Sequence, residues 1–311
     1  MTPSTARTPR TDRTPRPDRT DGNDGSDRIQ RGGEQRGSAG ARRAKPLRWR
    51  VELGRQIGRR RTAWGFGLLL ALPLILVGAF SLGDDSSGGG RFVDLAREGG
   101  ANFAVFCLFA SSDFLLVILA ALFAGDAVPS EASWSSLRYL LVAPVSRARL
   151  LTSKLVVALG STVLAAFLLP AWALLVGGVA YGWTSYSSPV GTSLEWAEFL
   201  PRLALAAAVV AINLVQVIGI ALLIGTLNDA PLGAVGGAVL VTIVASILDT
   251  IEQLGDLRHA LPMHYSRAWV RALSPDIGWT DIQLSALWSL IYGLVTIALA
   301  YWWFRRKDIL S

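Results

Sequence analysis

The sequence predicts an all-α membrane protein. It has six transmembrane helices, both termini in the cytoplasm, an amphipathic cytoplasmic helix before the first span and short outer helices between spans five and six. Three observations predict this. Ala63–Leu82, Phe103–Ala124, Leu155–Ala180, Leu203–Leu227, Leu232–Leu248 and Ala286–Phe304 are apolar stretches long enough to cross a ~30 Å hydrocarbon core, which takes about 20 helical residues. Only Asp113 carries a charge within their central portions. The chain is 51% hydrophobic and 17% charged, against about 25% charged in soluble domains, so it has too little polar surface to cover these helices in water.

Residues 1–45 are rich in Thr, Pro, Arg, Asp and Gly and nearly devoid of apolar side chains. Such a tail cannot bury enough surface to offset its ordering entropy, and it is expected to be disordered. It is not a signal peptide, because the first apolar run begins beyond the usual window. The second domain, residues 46–311, opens with Leu47, Val51, Gly54 and Ile57 on one helical face and Arg48, Arg55, Arg59 and Arg60 around the others. That pattern predicts a helix lying on the cytoplasmic surface, its arginines against anionic lipid head groups. The alternative is a solvated basic linker. The net charge of +7 is concentrated before the first span; a basic flank there is a topology signal, and nucleic acid is not expected as a partner.

The loops set the orientation. Arg59, Arg60 and Arg61 precede the first span, and Arg305, Arg306 and Lys307 follow the last, which places both ends inside. The loop Gly125–Lys154 is also basic and inside. The loop Gly83–Gly100 is acidic on balance, and the next outer loop carries the interfacial residues Trp183, Tyr186, Glu195 and Trp196. Asn228-Asp229-Ala230-Pro231 is a tight inner turn, and Gly233, Gly236 and Gly237 suit close packing of the fifth span. In Asp249–Gln283, Ile251, Leu254, Leu257 and Leu261 recur at helical spacing, and Trp269 and Trp279 read as interfacial anchors of outer helices.

Between spans two and three, Ser130 caps a helix with Glu131 in its first turn. Trp134, Leu137 and Leu141 make an apolar ridge, Pro144 ends the helix, and Arg138, Arg147 and Arg149 form a basic rim. On physics alone this is either a docking element or a positive-inside loop. Within the spans, Asp113 is costly enough in hydrocarbon that it must face protein or water, as a pathway or proton-responsive group or as an interhelical hydrogen bond. Asn213 and Gln216, three apart on one face, are pathway candidates or, more simply, links between helices. Pro170 is expected to kink the third span.

Other chemistry finds little support. Cys107 is the only cysteine, so no intrachain disulfide forms. His259 and His264, five apart in an outer loop, make a poor metal site. No GxxxxGK[ST] phosphate loop occurs, so the chain is not expected to be an enzyme or to hold a cofactor.

The stretch AGDAVPSEASWSSLRYLLVAPVSRARLLTSKLVVAL resembles the cytoplasmic loop of type-2 ABC-transporter permeases. The matching positions are Glu131, the small-residue step Ser135-Ser136-Leu137, the turn Pro144-Val145-Ser146-Arg147, and Lys154 at the start of the third helix. Ser135-Ser136 departs from the Gly-Thr pair common there. LPMHYSRAW and ALAYWWFRRKDIL resemble the family's last outer segment and final helix. The resemblance covers residues 46–311 and implies the permease subunit of an ATP-driven exporter in the plasma membrane. Its implied partners are a cytosolic ATP-binding subunit, which would bind the ATP and dock on Glu131–Arg149, and a second permease copy. It also implies re-entrant outer helices capping the pathway. The alternative is a non-transporting scaffold or sensor with the same fold.

Overall fold

The structure, a computed structural model, describes residues 60–82, 91–126, 129, 147–188 and 191–306. The tail 1–45, the surface helix expected from Pro46, and coupling candidates Glu131, Trp134, Leu137, Arg138 and Leu141 lie outside the described residues. The chain runs through α1 (Arg60–Leu82), α2 (Arg91–Arg97), α3 (Gly100–Ser112), α4 (Leu115–Gly125) and α5 (Arg147–Tyr181). A hairpin of β1 (Tyr186–Ser187) and β2 (Ser193–Leu194) leads to α6 (Trp196–Leu227) and α7 (Pro231–Asp249). Two 3₁₀ helices, Glu252–Ala260 and Ser266–Leu273, precede α8 (Trp279–Arg306). Five helices (α1, α5, α6, α7 and α8) are long and apolar enough to cross a membrane, and α3 with α4 passes the same test as a pair bent by 52°. The protein is a helical, membrane-embedded one.

Helix α6 is the axis of the fold. In its most apolar window 72% of residues are buried inside the protein, against 11% for α1, so α6 packs on protein while α1 turns most of its side chains outward. Helices α6 and α8 meet through glycines. A Cβ on Gly219 would lie 2.8 Å from the Gly293 carbonyl oxygen and 2.2 Å from Thr296 Oγ1, so only a bare Cα fits. A Cβ on Gly225 would likewise stand 2.7 Å from the Gly125 carbonyl oxygen. The small-residue packing expected at Gly236 is not found, since a Cβ there would meet nothing within 4 Å.

The sequence reads residues 103–124 as one span, but the chain bends within it. Ser111 Oγ donates to the Cys107 carbonyl (2.7 Å) and Ser112 Oγ to the Phe109 carbonyl (3.2 Å). Hydroxyls turned back on the helix compete with its ladder and bend it. Asp113 and Phe114 then separate α3 from α4. Helix α5 continues unbroken through Pro170, with 35 residues. Inside α1 is Pro73, and in the turn before it the Leu70 carbonyl accepts the Trp172 indole N–H at 2.9 Å. A neighbouring helix thus satisfies backbone near the proline.

Two residues assigned to interfaces are buried instead. Tyr186 stacks on Phe199 with centroids 5.5 Å apart, and burial pushes its phenol up against a lowering hydrogen bond from Ser188. Asn102 holds this hairpin, donating to the Ser187 carbonyl and accepting from its N–H, both at 2.9 Å. Trp269 is fully buried in the core, whereas Trp279 is exposed.

Contacts define two ends of the bundle. At the basic end, Arg61 on α1 donates to Asp126 at 2.8 Å, Gly125 packs on Gly225, and Leu151, Leu222 and Phe304 cluster. Thr152 and Tyr301 share a 2.7 Å hydrogen bond there. At the other end, the Gly100 N–H donates to the Gly182 carbonyl and the α7–α8 linker covers the bundle. Arg60 and Arg306, the first and last described residues, therefore lie at the same end.

Candidate functional site: a polar seam beneath the α7–α8 linker

Asn213 and Gln216 sit about halfway along α6, and the chain that reaches them is the linker. Asn213 Nδ2 donates to the Ser266 carbonyl at 2.9 Å. Its Oδ1 accepts from Ser285 Oγ (2.7 Å) and Ser289 Oγ (3.0 Å), both on α8. The Ser285 hydroxyl also lies 2.9 Å from the Tyr265 carbonyl. Gln216 reaches one residue group with both amide atoms: Oε1 accepts the Met263 N–H (3.4 Å), and Nε2 points at Met263 Sδ (3.2 Å) and Ser289 Oγ (3.3 Å). Asn213, Gln216, Ser285 and Ser289 are all at least 97% buried. In an apolar surround such groups are costly unless bonded, and here each is.

Met263 has φ of +73°, in the left-handed region that costs a residue with a Cβ. The Gln216 clamp holds it there. The sharp turn at Met263 sends the chain down to α6 and back out through Ser266.

The next residue in that chain, Arg267, binds the third candidate. Its Nε lies 2.9 Å from Asp113 Oδ2, and its guanidinium carbon lies 5.9 Å from the Phe109 ring centre. The Asp113 side chain is 36% exposed and that of Arg267 69%. Asp113, Asn213 and Gln216, scattered along the sequence, thus converge on linker residues 263–267. Arg202 on α6 donates to the Ser274 carbonyl, and Arg271 pairs with Asp281 on α8 at 2.9 Å. On the α7 side, His264 Nδ1 bonds Asp249. The linker is therefore pinned to α6, α7, α8 and the break between α3 and α4.

The arrangement can hold two helices and a re-entering chain in register, and it presents one ion pair at the break in a membrane-length segment. Sequence reasoning found the α6 side of this seam. It missed Ser285, Ser289, Met263 and Arg267. Ser285 and Ser289 are four apart, so they share a helix face, and that spacing was the available signal. Nothing in local pattern marks Met263. Among the described residues no three His, Cys, Asp or Glu side chains are placed to share a metal ion.

At the basic end, Arg149 is exposed in the first turn of α5, and Arg147 begins that helix. Asp126, the residue before the joining segment, is 95% buried.

No curated protein matches this sequence. A family model described as "Protein of unknown function (DUF2705)" matches residues 73–310. That range takes in the whole seam, the bent pair and the joining segment, and the chain belongs to the DUF2705 family.

Proposed function

We propose that this protein is the membrane-spanning permease subunit of an ATP-driven exporter. Counting the bent pair as one span gives six. The basic end, with Arg60, Arg61, Arg149, Arg305 and Arg306, then faces the cytoplasm by the positive-inside rule, and the linker caps the outer side. The membrane is the plasma membrane. A separate ATP-binding subunit docks on Glu131–Arg149, and a second permease copy completes the pathway. The sequence resemblance of that segment is the basis for the partner.

The observation that carries the pathway is the Asp113–Arg267 pair. It stands at a break within a membrane-length segment, with the arginine 69% exposed in the single chain. Two charged groups at that depth need water or another protein surface beside them, because hydrocarbon excludes them. A water-filled route, bounded by the second copy, supplies this. The seam supports the same reading differently: it ties α6, α8 and the linker together, whereas α1, only 11% buried in its most apolar window, is the span with most of its surface free to move against them. Alternating access needs such a division, and substrate and nucleotide need only bind its two states unequally.

The test is reaction of cysteines placed at Ser112, Phe114 and Arg267 with membrane-impermeant thiol reagents, in a Cys107→Ala background. Labelling that changes when ATP is added to membranes containing the partner supports a pathway. Labelling absent in every state contradicts it. Labelling that occurs but never responds to nucleotide favours a non-transporting scaffold.

A further inference from the structure

We propose that the first 3₁₀ segment, Glu252–Ala260, is a proton-operated flap: two histidines hold it against the bundle at neutral pH and release it when both are protonated. This goes beyond the transport reading and stands without it.

The two 3₁₀ segments are held by different forces. Ser266–Leu273 buries Trp269, Ala272 and Leu273, so its place is set by apolar packing. Glu252–Ala260 buries no residue at all. A segment with so little apolar burial opens at low free energy, and its position depends on its polar contacts. Gly255, with φ of +52°, breaks the segment into two short arms and provides its hinge.

The contacts of this segment, and those of the residues that flank it, are almost all titratable. His264 Nδ1 bonds Asp249 at the end of α7. Arg258 Nε lies 3.8 Å from the same carboxylate oxygen, beyond hydrogen-bond range but close enough to share its charge. His259 Nδ1 lies 3.2 Å from the Tyr265 hydroxyl. The imidazoles of His259 and His264 meet edge to face with centroids 4.8 Å apart, and His264 packs on Tyr265 at 4.5 Å. From α8, Tyr292 donates to the Ala260 carbonyl. These are both histidines of the chain.

The charge arithmetic gives the direction. With both imidazoles neutral, Asp249 is balanced by Arg258. Nδ1 of His264 faces Asp249, so a charge on this ring has a counter-charge beside it. A second on His259 places two imidazoliums less than 5 Å apart beside Arg258, three cations around a single carboxylate. The Tyr265 hydroxyl, which can accept as well as donate, does not oppose this charge, so the repulsion among the cations decides the outcome. The other charges on these elements are placed elsewhere: Arg267 is engaged with Asp113 and Arg271 with Asp281, while Glu252 and Asp256 are exposed on the flap itself. The α6 groups beneath, Asn213 and Gln216, do not titrate. Swinging the flap outward about Gly255 separates the cations, and histidine is the side chain that gains charge between pH 8 and 5.

The experiment is amide hydrogen exchange on the purified full chain in detergent at pH 7.5 and 5.0, corrected for intrinsic exchange chemistry. Protection of residues 252–262 should fall at least about tenfold on acidification, while residues 266–273 keep theirs. His259→Gln should retain neutral-pH protection and abolish the acid loss. His264→Gln, which removes the bond to Asp249, should loosen the flap at both pH values. Equal protection of the wild-type flap at the two pH values would overturn the proposal. So would an acid loss that persists in His259→Gln, or one shared equally by residues 266–273.

Discussion

Gln216 does with one side chain what two are usually needed for: its carbonyl and amide ends both engage Met263, fixing a left-handed turn where the linker meets α6. Asn213, one helical turn earlier, serves the other side of that turn with three bonds of its own. Polar links of this kind in membranes average about 0.6 kcal/mol and reach about 1.7. Asn213→Leu removes three bonds at once, although Ser285 keeps the Tyr265 carbonyl and Ser289 the Gln216 amide, so a loss of about 1 kcal/mol is expected in reversible unfolding from mixed micelles. Tyr301→Phe removes only the exposed bond to Thr152 and should change stability by less than about 0.5 kcal/mol. Asp113 is a different case, since its partner is a charge. Arg267→Gln should lower detergent thermostability by leaving a carboxylate at the helix break without its cation. The swap Asp113→Arg with Arg267→Asp should recover at least half of the loss. A swap as damaged as the single variants would show that the pair's charges do not hold the linker.

Elements are where the sequence was most and least informative. Apolar run length located every long helix, because nothing but burial in lipid or protein accounts for twenty successive apolar residues. Their ends were less legible. Helix α8 begins at Trp279 rather than Ala286, since Ser285 and Ser289 face the seam and do not break the helix. Helix α2 and the hairpin were read as loop. The bend at Asp113 was hidden because two serines and an aspartate look the same in a straight helix as in a broken one; the hydroxyl partners decide it. The close packing was legible only in part. Glycine content pointed to Gly233, Gly236 and Gly237 in α7; a Cβ on Gly237 would lie 3.3 Å from the Ile224 side chain of α6, but one on Gly236 would meet nothing, because tight contact depends on what lies opposite. Gly219→Ala should therefore cost about 1–3 kcal/mol through overpacking against Gly293 and Thr296. Gly236→Ala should be neutral or stabilising, by up to about 1 kcal/mol of helix propensity. Thermal unfolding of the two variants side by side checks the assignment, and the reverse order would refute it.

For the molecule as a whole, the linker covers the end of the bundle opposite the basic one and reaches down to the seam about halfway along α6. In the proposed exporter, work enters at the basic end, through the segment between Asp126 and Arg147, and is expressed at the linker end. The same topology makes Arg60 and Arg306 neighbours in depth, so with the proposed orientation reporters fused after Ser311 and before Arg60 should both be active only in the cytoplasm. The central claim is that a nucleotide-hydrolysing partner drives this chain through Glu131–Arg149. A ridge of one aromatic and two leucines is the kind of anchor that dominates an interface, while rim arginines mainly orient it. The most direct measurement is affinity purification of the full-length chain from its native membranes, with ATP turnover assayed in the eluate. The wild type should carry ATPase activity. Trp134→Ala with Leu137→Ala should reach the membrane in equal amount yet lose most of that activity, and Arg149→Ala should keep most of it. A wild-type eluate without ATPase activity, or a double variant that retains it in full, would contradict the account.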